Sequence, residues 1–338
     1  MSLLALLLAA ASPAAPAPAD LKGYRDWTVG CDNGLHCQAV ALIPEDDWDA
    51  GVPMSVRRGP EPNAVPVITF ETRESGDPAG LQVDGKRLPV SFTSGEIGLQ
   101  VAPKSVPALI QAFRTGSRLD LLSAAGKPIG HVTLAGASAA LLYMDEKQKR
   151  LGTVTALARP GTAPASAVPP PPALPVLTPA SVPKGPAITL PPARLAALRK
   201  QAGCDSDESS GPVSNDAYRI DAATTLILLS CGAGAYNFST VPFLATQRRG
   251  KIEVRIAAFD HQPHWWEKNV PMLINADWAP ETRTLVSFAK ARGIGDCGTT
   301  ANYIWDGTRF RLSEMAEMGE CRGSLDYITV WRTKVVNR

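Results

Sequence analysis

The segment from Arg292 to Gly323, RGIGDCGTTANYIWDGTRFRLSEMAEMGECRG, decides how the second half of the chain folds. It contains two of the six cysteines, a glycine-rich turn near its start and an aromatic run that ends in a Trp-Asp-Gly turn. An Asp-Gly turn between runs of alternating apolar residues is typical of a β-hairpin. We therefore predict a β unit that is closed by a disulfide between Cys297 and Cys321, which bracket this hairpin.

The segment Tyr218–Ile256 has a similar order of strands and turns. Leu226 and Gly250 are 24 residues apart in it, and Leu285 and Gly307 are 22 residues apart in the later segment. Each unit is predicted as strand, turn, strand, long connection, strand, glycine turn and strand. This similarity indicates an internal duplication of a β-meander, although two such units do not make a closed propeller.

Composition limits the class of protein. The chain has 338 residues, which is enough for two domains of roughly 100–200 residues each. Hydrophobic residues make up 45% and charged residues 20%, so there is enough apolar material for two cores. The formal net charge of +2 argues against nucleic acid as the main partner, since nucleic-acid-binding proteins concentrate basic residues.

The N-terminus has the features of a signal peptide. Residues 3–11, LLALLLAAA, form an apolar run that is too short to span a bilayer but suits the apolar core of a signal. Small residues follow, with Ala-Pro-Ala at 17–19 as a cleavage site. No Lys or Arg precedes the run, and a structural helix is the alternative. We predict a signal peptide over residues 1–20 and a periplasmic or secreted location in a Gram-negative bacterium.

Export would place the six cysteines in an oxidising compartment, where an even number indicates disulfides. Six cysteines allow many pairings, and the sequence alone does not choose among them. Proximity along the chain and the expected division into domains favour Cys31–Cys37, Cys204–Cys231 and Cys297–Cys321. No Cys-x-x-Cys motif occurs, which disfavours a thiol-redox enzyme.

Proline density divides the chain. Residues 159–192, RPGTAPASAVPPPPALPVLTPASVPKGPAITLPP, are rich in proline and almost without charge, which is typical of a semi-rigid, extended linker. A proline-rich ligand for another protein is the alternative. We therefore predict an N-terminal β-rich domain over 21–158, the linker over 159–192, and a disulfide-stapled β-meander domain over 193–338.

Helices are predicted at three places in this mostly β chain. Ser105 can cap a helix that Gly116 ends. A second helix opens at Gly136, is predicted over residues 137–152 and becomes charged toward its C-terminal end. A third follows the two prolines at 191–192 and ends at Gly203. The predicted fold class is α+β and mostly antiparallel β, with two domains that each combine a β-sheet core with one or two helices.

His261, His264 and Glu267 are separated by three residues each in the run HQPHWWE. On a helix they would share one face and offer a metal three ligands. Pro263 and the paired tryptophans argue against a helix there and favour a polar loop. The run supports a metal-dependent envelope hydrolase as an alternative function, while neither a Gly-x-Ser-x-Gly nor a His-Glu-x-x-His motif occurs.

Arg292, Asp296 and Arg322 flank the last two cysteines. If Cys297 and Cys321 are bonded, Asp296 and Arg322 come close together. The three residues then form either a structural ion pair or a small patch that binds an anion or a partner. We predict no catalytic residue and no cofactor.

Five stretches of the sequence match the pattern of a known family: WTVGC at 27–31, GASAALLYMDEKQKRLGTVTALARPG at 136–161, GAYNFSTVP at 234–242, FAKARGIGDCG at 288–298 and CRGSLDYITVWRT at 321–333. They resemble domain-of-unknown-function family 1176. The resemblance covers nearly the whole mature chain, and all six cysteine positions fit. It implies an exported bacterial protein, and it implies no activity because the family has no established one.

A second resemblance rests on Trp27, Cys31, Cys37 and the Asp-Gly turn at 84–85. Through these residues the N-terminal domain is similar to the invasion-associated locus B family. Residues 91–98 lack the second cysteine pair of that family. We expect a non-enzymatic binding or envelope-associated protein of unknown partner, and the locus B resemblance implies a surface-exposed adhesion or virulence-related factor as a further alternative.

Overall fold

A computed structural model of the chain describes residues 15–71, 78–95, 98–204, 215–261 and 270–337. The described part contains three α-helices and 23 strands, and the strands form five sheets. One strand pair is parallel and the other named pairs are antiparallel. The predicted α+β, mostly antiparallel β class is therefore confirmed.

The first half of the chain forms two sheets. The larger sheet has seven strands in the order β1 (Lys22–Tyr24), β2 (Trp27–Cys31), β3 (Cys37–Ala41), β4 (Met54–Arg58), β5 (Val67–Phe70), β9 (Leu99–Val101) and β8 (Phe92–Ser94). The smaller sheet has the order β11 (Pro128–Thr133), β10 (Arg118–Leu122), β6 (Gly80–Val83) and β7 (Lys86–Leu88). We call the larger one the N-terminal sheet.

Alternation along the central strands separates the two faces of the N-terminal sheet. Trp27, Val29 and Cys31 of β2 point to the same side, since successive residues of a strand alternate between faces, and all three belong to one apolar core. Phe113 of the first helix meets the Trp27 ring edge to face at 6.3 Å. Both faces of β2 are buried, so the opposite face must also be covered.

The three helices begin and end for local reasons. Helix α1 (Val106–Phe113) has a proline in its first turn, and α3 (Pro192–Ala202) ends at Gly203, whose φ of 70° is left-handed. Helix α2 (Ala137–Lys147) ends earlier than its helical pattern suggested. Lys149 has a φ of 58°, which breaks the helix and turns the following chain into the protein interior.

The second half of the chain forms two antiparallel meanders. The first contains β13 (Asn215–Arg219), β14 (Thr224–Ala233), β15 (Phe238–Arg248) and β16 (Lys251–Ile256), with β17 (Leu273–Ile274) also paired to β15. The second contains β18 (Asp277–Ala279), β19 (Thr284–Lys290), β20 (Gly298–Trp305), β21 (Phe310–Met318) and β22 (Ile328–Arg332).

The first meander lies between two apolar layers. Leu226 and Leu228 on one face of β14 share a core with Trp278, Trp305 and Trp331 of the second meander. The alternate residues of β14 pack instead with α3 and the end of the proline-rich segment. Trp278, Trp305 and Trp331 therefore fill a core.

The proline-rich segment contacts the second half along its length. Its strand β12 (Val176–Leu177) pairs in parallel with β23 (Lys334–Val335) near the C-terminus. The backbone N–H of Ala180 donates to the Trp305 carbonyl at 2.8 Å, and Leu190 is buried. These contacts hold the segment against the second half, while the division of the chain into domains stays a prediction.

Three disulfides join the pairs that chain proximity favours. Cys31–Cys37 links neighbouring residues of β2 and β3, and Cys204–Cys231 ties the end of α3 to β14. Cys297–Cys321 joins the start of β20 to the segment that follows β21. Among the described residues, no helix is long and apolar enough to cross a membrane.

Candidate functional site

The two halves of the chain meet where β22 lies against β2 and β3. Gly30 makes this contact possible, because a Cβ atom there would lie 2.7 Å from Leu21 Cδ2 and 3.0 Å from Ile328 Cγ2. Val40 and Leu42, from the same face of the N-terminal sheet, are buried in a core with Ile328. The second half thus covers the outer face of the N-terminal sheet.

Arg322 fastens one end of this interface. Its Nε donates to the Ile43 carbonyl at 2.8 Å and its Nη2 to Asp26 at 2.6 Å, while the Ile43 N–H donates back to the Arg322 carbonyl at 3.0 Å. Burial opposes the charge, but the hydrogen bonds to Asp26 and Glu320 outweigh it and raise the pKa of Arg322. This side chain is a clamp between the halves.

Arg292 and Asp296 form a separate pair. The Arg292 Nε donates to Asp296 at 2.9 Å, and the buried Asp296 carboxylate also accepts the N–H of Gly323 at 2.8 Å. Burial alone would raise the pKa of Asp296, but the hydrogen bonds from Arg292 and Gly323 lower it overall. Asp296 therefore binds the backbone beside Arg322, whereas the Arg322 guanidinium pairs with Asp26 and Glu320.

Of the three residues proposed as metal ligands, only His261 lies within the described part of the chain. His264 and Glu267 lie outside the described residues. Across the described ranges, no group of three or more His, Cys, Asp or Glu side chains is placed to hold a metal ion. The metal-dependent hydrolase stays a prediction from the sequence.

A polar cavity of about 460 Å³ lies between the halves, beside the Cys31–Cys37 disulfide. We call it the arginine groove. One wall comes from the N-terminal sheet and the residues near it: His36, Gln38, Arg57, Gly59, Val67 and Gln100. The other wall comes from the end of the chain: Tyr327, Thr329 and Arg332. Cys37, Arg58 and Val65 complete the lining.

The strand register explains why the first wall is polar. Gln38 of β3, Arg57 of β4 and Val67 of β5 are directly opposite one another, so their side chains lie in a row on one face. Gln100 of β9 is opposite Thr69, two residues from Val67 and on the same face. Helices α1 and α2 pack on the other face of this sheet, which leaves the row to face the end of the chain.

Arg57 is held by a carboxylate from the other half of the chain. Its Nη2 forms an ion pair with Asp326, whose side chain is almost fully buried. Gln38 fixes the same residue, since its Nε2 donates to the Asp326 carbonyl at 3.0 Å. The Arg57 side chain keeps 38% of its surface exposed, so its guanidinium is anchored on one side and accessible on another.

Arg332 is held in a similar way on the opposite wall. Its Nε pairs with Asp32, and its backbone exchanges two hydrogen bonds of 2.8 and 3.0 Å with the Asn33 side chain. Asp32 is buried and its Oδ1 also accepts the N–H groups of Gly34 and His36 at 2.8 and 3.0 Å. The turn between β2 and β3 therefore positions Arg332 at the groove.

Arg58, next to Arg57 on β4, points to the other face of the sheet. Its guanidinium donates to Asp145 and Gln148 at 2.7 Å each, and to the Thr155 carbonyl at 3.0 Å. Burial lowers the pKa of Arg58 to about 10, against the opposing effect of Asp145. Arg150 lies in the same cluster. We call this set the buried arginine cluster.

Sequence reasoning did not single out the groove residues. The signal that was available is the pair Arg57-Arg58 at the end of MSVRR, a strand whose other residues are buried. Two consecutive arginines in a strand point to opposite faces, so one of them must reach a different environment from the other. Arg332 at the end of ITVWR gives a similar but weaker signal.

Comparison with known proteins places the chain among relatives of undefined function. The crystal structure of invasion associated protein b from Bartonella henselae is 23% identical with a TM-score of 0.26, covering 39% of this chain and 99% of that one. At this TM-score the match does not establish a shared fold or function, and an adhesion role for the present chain stays a prediction. The uncharacterized protein YpfG of Escherichia coli (strain K12) is 30% identical over 343 residues, which is 94% of each chain. The family model described as a protein of unknown function (DUF1176) matches residues 21–334, and the chain belongs to that family.

Proposed function

We propose that this protein is a non-enzymatic, extracytoplasmic binding protein whose ligand occupies the arginine groove. The observation that carries the proposal is the position and lining of the groove. It lies where two parts of the chain meet, which is a frequent place for ligand sites, and its volume is in the range of small-molecule pockets. Anchored, partly exposed guanidinium groups lie on both of its walls.

The groove lining supports binding over catalysis. His36 is the imidazole in the lining, and the sulfur of its neighbour Cys37 is bonded to Cys31. A nucleophilic mechanism needs a nucleophile and a base within hydrogen-bond reach of one another. Among the groove residues, the chemistry on offer is hydrogen bonding and positive charge, which are means of recognition.

Three disulfides support a location outside the cytoplasm, because disulfides form and persist in oxidising compartments. The proposal includes the signal peptide over residues 1–20, of which the first fourteen lie outside the described residues. It places the mature chain in the periplasm or the secreted fraction. It also treats 21–158 and 193–338 as two domains that the proline-rich segment joins.

Recovery of a bound molecule tests the proposal. The full protein is purified from the bacterium that makes it and denatured, and the released small molecules are identified by mass spectrometry. Val67→Trp is the blocking variant, because this exposed strand residue lies opposite Arg57 and a larger ring there would fill the groove. Val176→Trp is the matched control, since Val176 is an exposed strand valine that is not part of the groove lining.

We expect one small molecule in near-stoichiometric amount from the wild type and the Val176→Trp control, and at least tenfold less from Val67→Trp. Melting temperatures of all three proteins check that the blocking variant is folded. Equal recovery from Val67→Trp and the control would contradict binding in the groove. Recovery of no molecule from any of them would also contradict the proposal.

A further inference from the structure

Charge is unevenly distributed around the arginine groove. Among the described residues, its lining contains arginines and a histidine but neither Asp nor Glu. Arg58 directs its guanidinium away, toward the buried Asp145. Arg57 and Arg332 are the two arginines whose side chains stay accessible at the groove, at 38% and 31% exposure. The groove therefore presents positive charge from both walls.

The balancing carboxylates lie behind the two arginines. The side chains of Asp326 and Asp32 are 4% and 0% exposed, so neither is presented to solvent. A guanidinium has five N–H donors in a rigid fork, and both side chains stay partly exposed beside their carboxylates. Each carboxylate thus fixes the position of its arginine, and this reduces the conformational entropy that a ligand would otherwise have to offset.

The rest of the lining offers neutral polar groups and apolar side chains that can contact the other parts of an anionic ligand. Gln100 adds an amide and Thr329 a hydroxyl, and both are in the lining. Val65 and Val67 add an exposed apolar strip on the sheet side of the groove. A ligand with one charged end and a short, partly apolar body would match both kinds of surface.

We propose that the groove recognises a small molecule through an oxyanion, a carboxylate or a phosphate group, that bridges Arg57 and Arg332. This inference rests on the proposed function and names the chemical class of its ligand. Arginine pairs with both kinds of oxyanion through parallel hydrogen bonds, which neutral groups do not reproduce. Because the two arginines belong to different halves of the chain, the bound oxyanion also links the halves.

Calorimetric titration of the full chain tests the oxyanion directly. The probes are inorganic phosphate, acetate and, as a neutral comparison, glucose, each at the same ionic strength set with NaCl. We expect saturable, one-to-one binding of phosphate or acetate to the wild type. The anion that binds more tightly distinguishes a phosphate-bearing ligand from a carboxylate-bearing one.

Three variants locate that binding. Arg57→Gln and Arg332→Gln should each raise the Kd of the bound anion at least tenfold, because each removes one charged fork. Arg194→Gln is the matched control, since Arg194 is an exposed arginine on α3, and it should leave the Kd within twofold. Arg332→Lys keeps the charge but loses the planar guanidinium fork, so we expect its Kd to lie between that of the wild type and that of Arg332→Gln.

The outcomes separate this inference from the proposed function. Unchanged Kd values in both Gln variants would overturn the oxyanion bridge. Saturable binding of glucose alone, abolished in Val67→Trp, would overturn the inference and leave the groove as a binding site. If no probe binds, the molecule recovered from the native protein decides: an anion lost in Arg332→Gln supports the inference, and a neutral molecule overturns it. No probe binding and no recovered molecule would overturn both.

Discussion

Arg57 and Arg58 are neighbours on one strand, yet they belong to very different surroundings. Arg58 is fully buried, and its donors are used by Asp145, Gln148 and the Thr155 carbonyl. Arg57 pairs with the buried carboxylate of Asp326 and keeps more than a third of its surface exposed. The strand alternation that separates them makes the first a structural residue and the second a residue available to a ligand.

The same contrast distinguishes the buried arginine cluster from the arginine groove. In the cluster, Arg150 donates to backbone carbonyls of the segment before β5, including that of Pro62 at 2.7 Å and that of Pro60 at 3.2 Å. Such a cluster costs stability if one partner is lost, because the charges that remain are buried. In the groove, Arg57 and Arg332 are themselves partly exposed, so the loss of one of them should cost less stability than a loss in the cluster and should also change binding.

The largest effect is expected from breaking the buried cluster. Asp145→Ala leaves Arg58 without its carboxylate and the N–H groups of Leu157 and Ala158 without their acceptor. We expect the free energy of unfolding to fall by about 3–5 kcal/mol, the usual range for removing one partner of a buried ion pair. Denaturant unfolding measures it, and a loss under about 1 kcal/mol would show that the cluster is not essential to the fold.

The second effect concerns the disulfide beside the Arg322 clamp. A Cys297→Ser and Cys321→Ser double variant should lower the free energy of unfolding by about 2–5 kcal/mol under oxidising conditions. The melting temperatures of the variant and the wild type should become equal when both proteins are fully reduced. The Cys31–Cys37 disulfide closes a shorter loop, so we expect the equivalent Cys31→Ser and Cys37→Ser double variant to lose less unfolding free energy. An equal or larger loss in that variant would show that the disulfide beside the groove contributes more to stability than the one beside the clamp.

A third effect is a pH dependence in the first half of the chain. His131 is buried, with Asp47 at 2.8 Å from its Nε2. Burial and the nearby charge of Arg118 lower its pKa below 6.5, against the opposing effects of Asp47 and Asp120. The unfolded chain therefore takes up this proton more readily. The stabilising contribution is complete above pH 6.5 and decreases as the pH falls to the folded-state pKa.

We expect the slope from this histidine to be at most about 1.4 kcal/mol per pH unit, the limit for one proton. Urea unfolding at several pH values between 7.5 and 5 measures it. In a His131→Gln variant the free energy of unfolding should fall less steeply over that range. The same slope in variant and wild type would assign the pH dependence to other groups.

A smaller effect on folding is expected in the groove. Arg332→Gln and Arg57→Gln each remove a partly exposed arginine but leave its buried carboxylate, Asp32 or Asp326, without a cation. We expect the free energy of unfolding to fall by about 1–3 kcal/mol, the usual cost of leaving a buried acceptor without its partner, together with the loss of anion binding. A destabilisation as large as that of Asp145→Ala would remove the contrast between the cluster and the groove.

Local signals in the sequence predicted much of the fold. Gly203 marked the end of α3, and alternation marked the hairpin that Cys31 and Cys37 close. The patch of Arg292, Asp296 and Arg322 stays a prediction: Arg292 pairs with Asp296, whereas Arg322 has partners that the sequence did not indicate. Arg322 binds Asp26 and Ile43, which are almost 300 residues earlier in the chain, and no local pattern contains that information.

The groove was missed for the same reason. Each of its two accessible arginines is anchored by a carboxylate from the other half of the chain, Arg57 by Asp326 and Arg332 by Asp32. Periodicity indicates that a residue faces outward from a strand, but it does not indicate which distant strand covers that face. The predicted helix α2 was too long, because the turn at Lys149 ends it. This turn is required by the buried arginine cluster, and the local sequence pattern does not indicate it.

The position of β22 at the end of the chain determines when the groove can form. A chain is synthesised from its N-terminus, so the N-terminal sheet is complete long before residues 328–332 emerge. Until then Val40 and Leu42 lack Ile328, the apolar cover that the last strand provides. Contacts that join distant parts of a chain form slowly, and the groove is therefore a late product of folding. A chain truncated before β22 would expose the apolar face of the N-terminal sheet to solvent and would lack the groove.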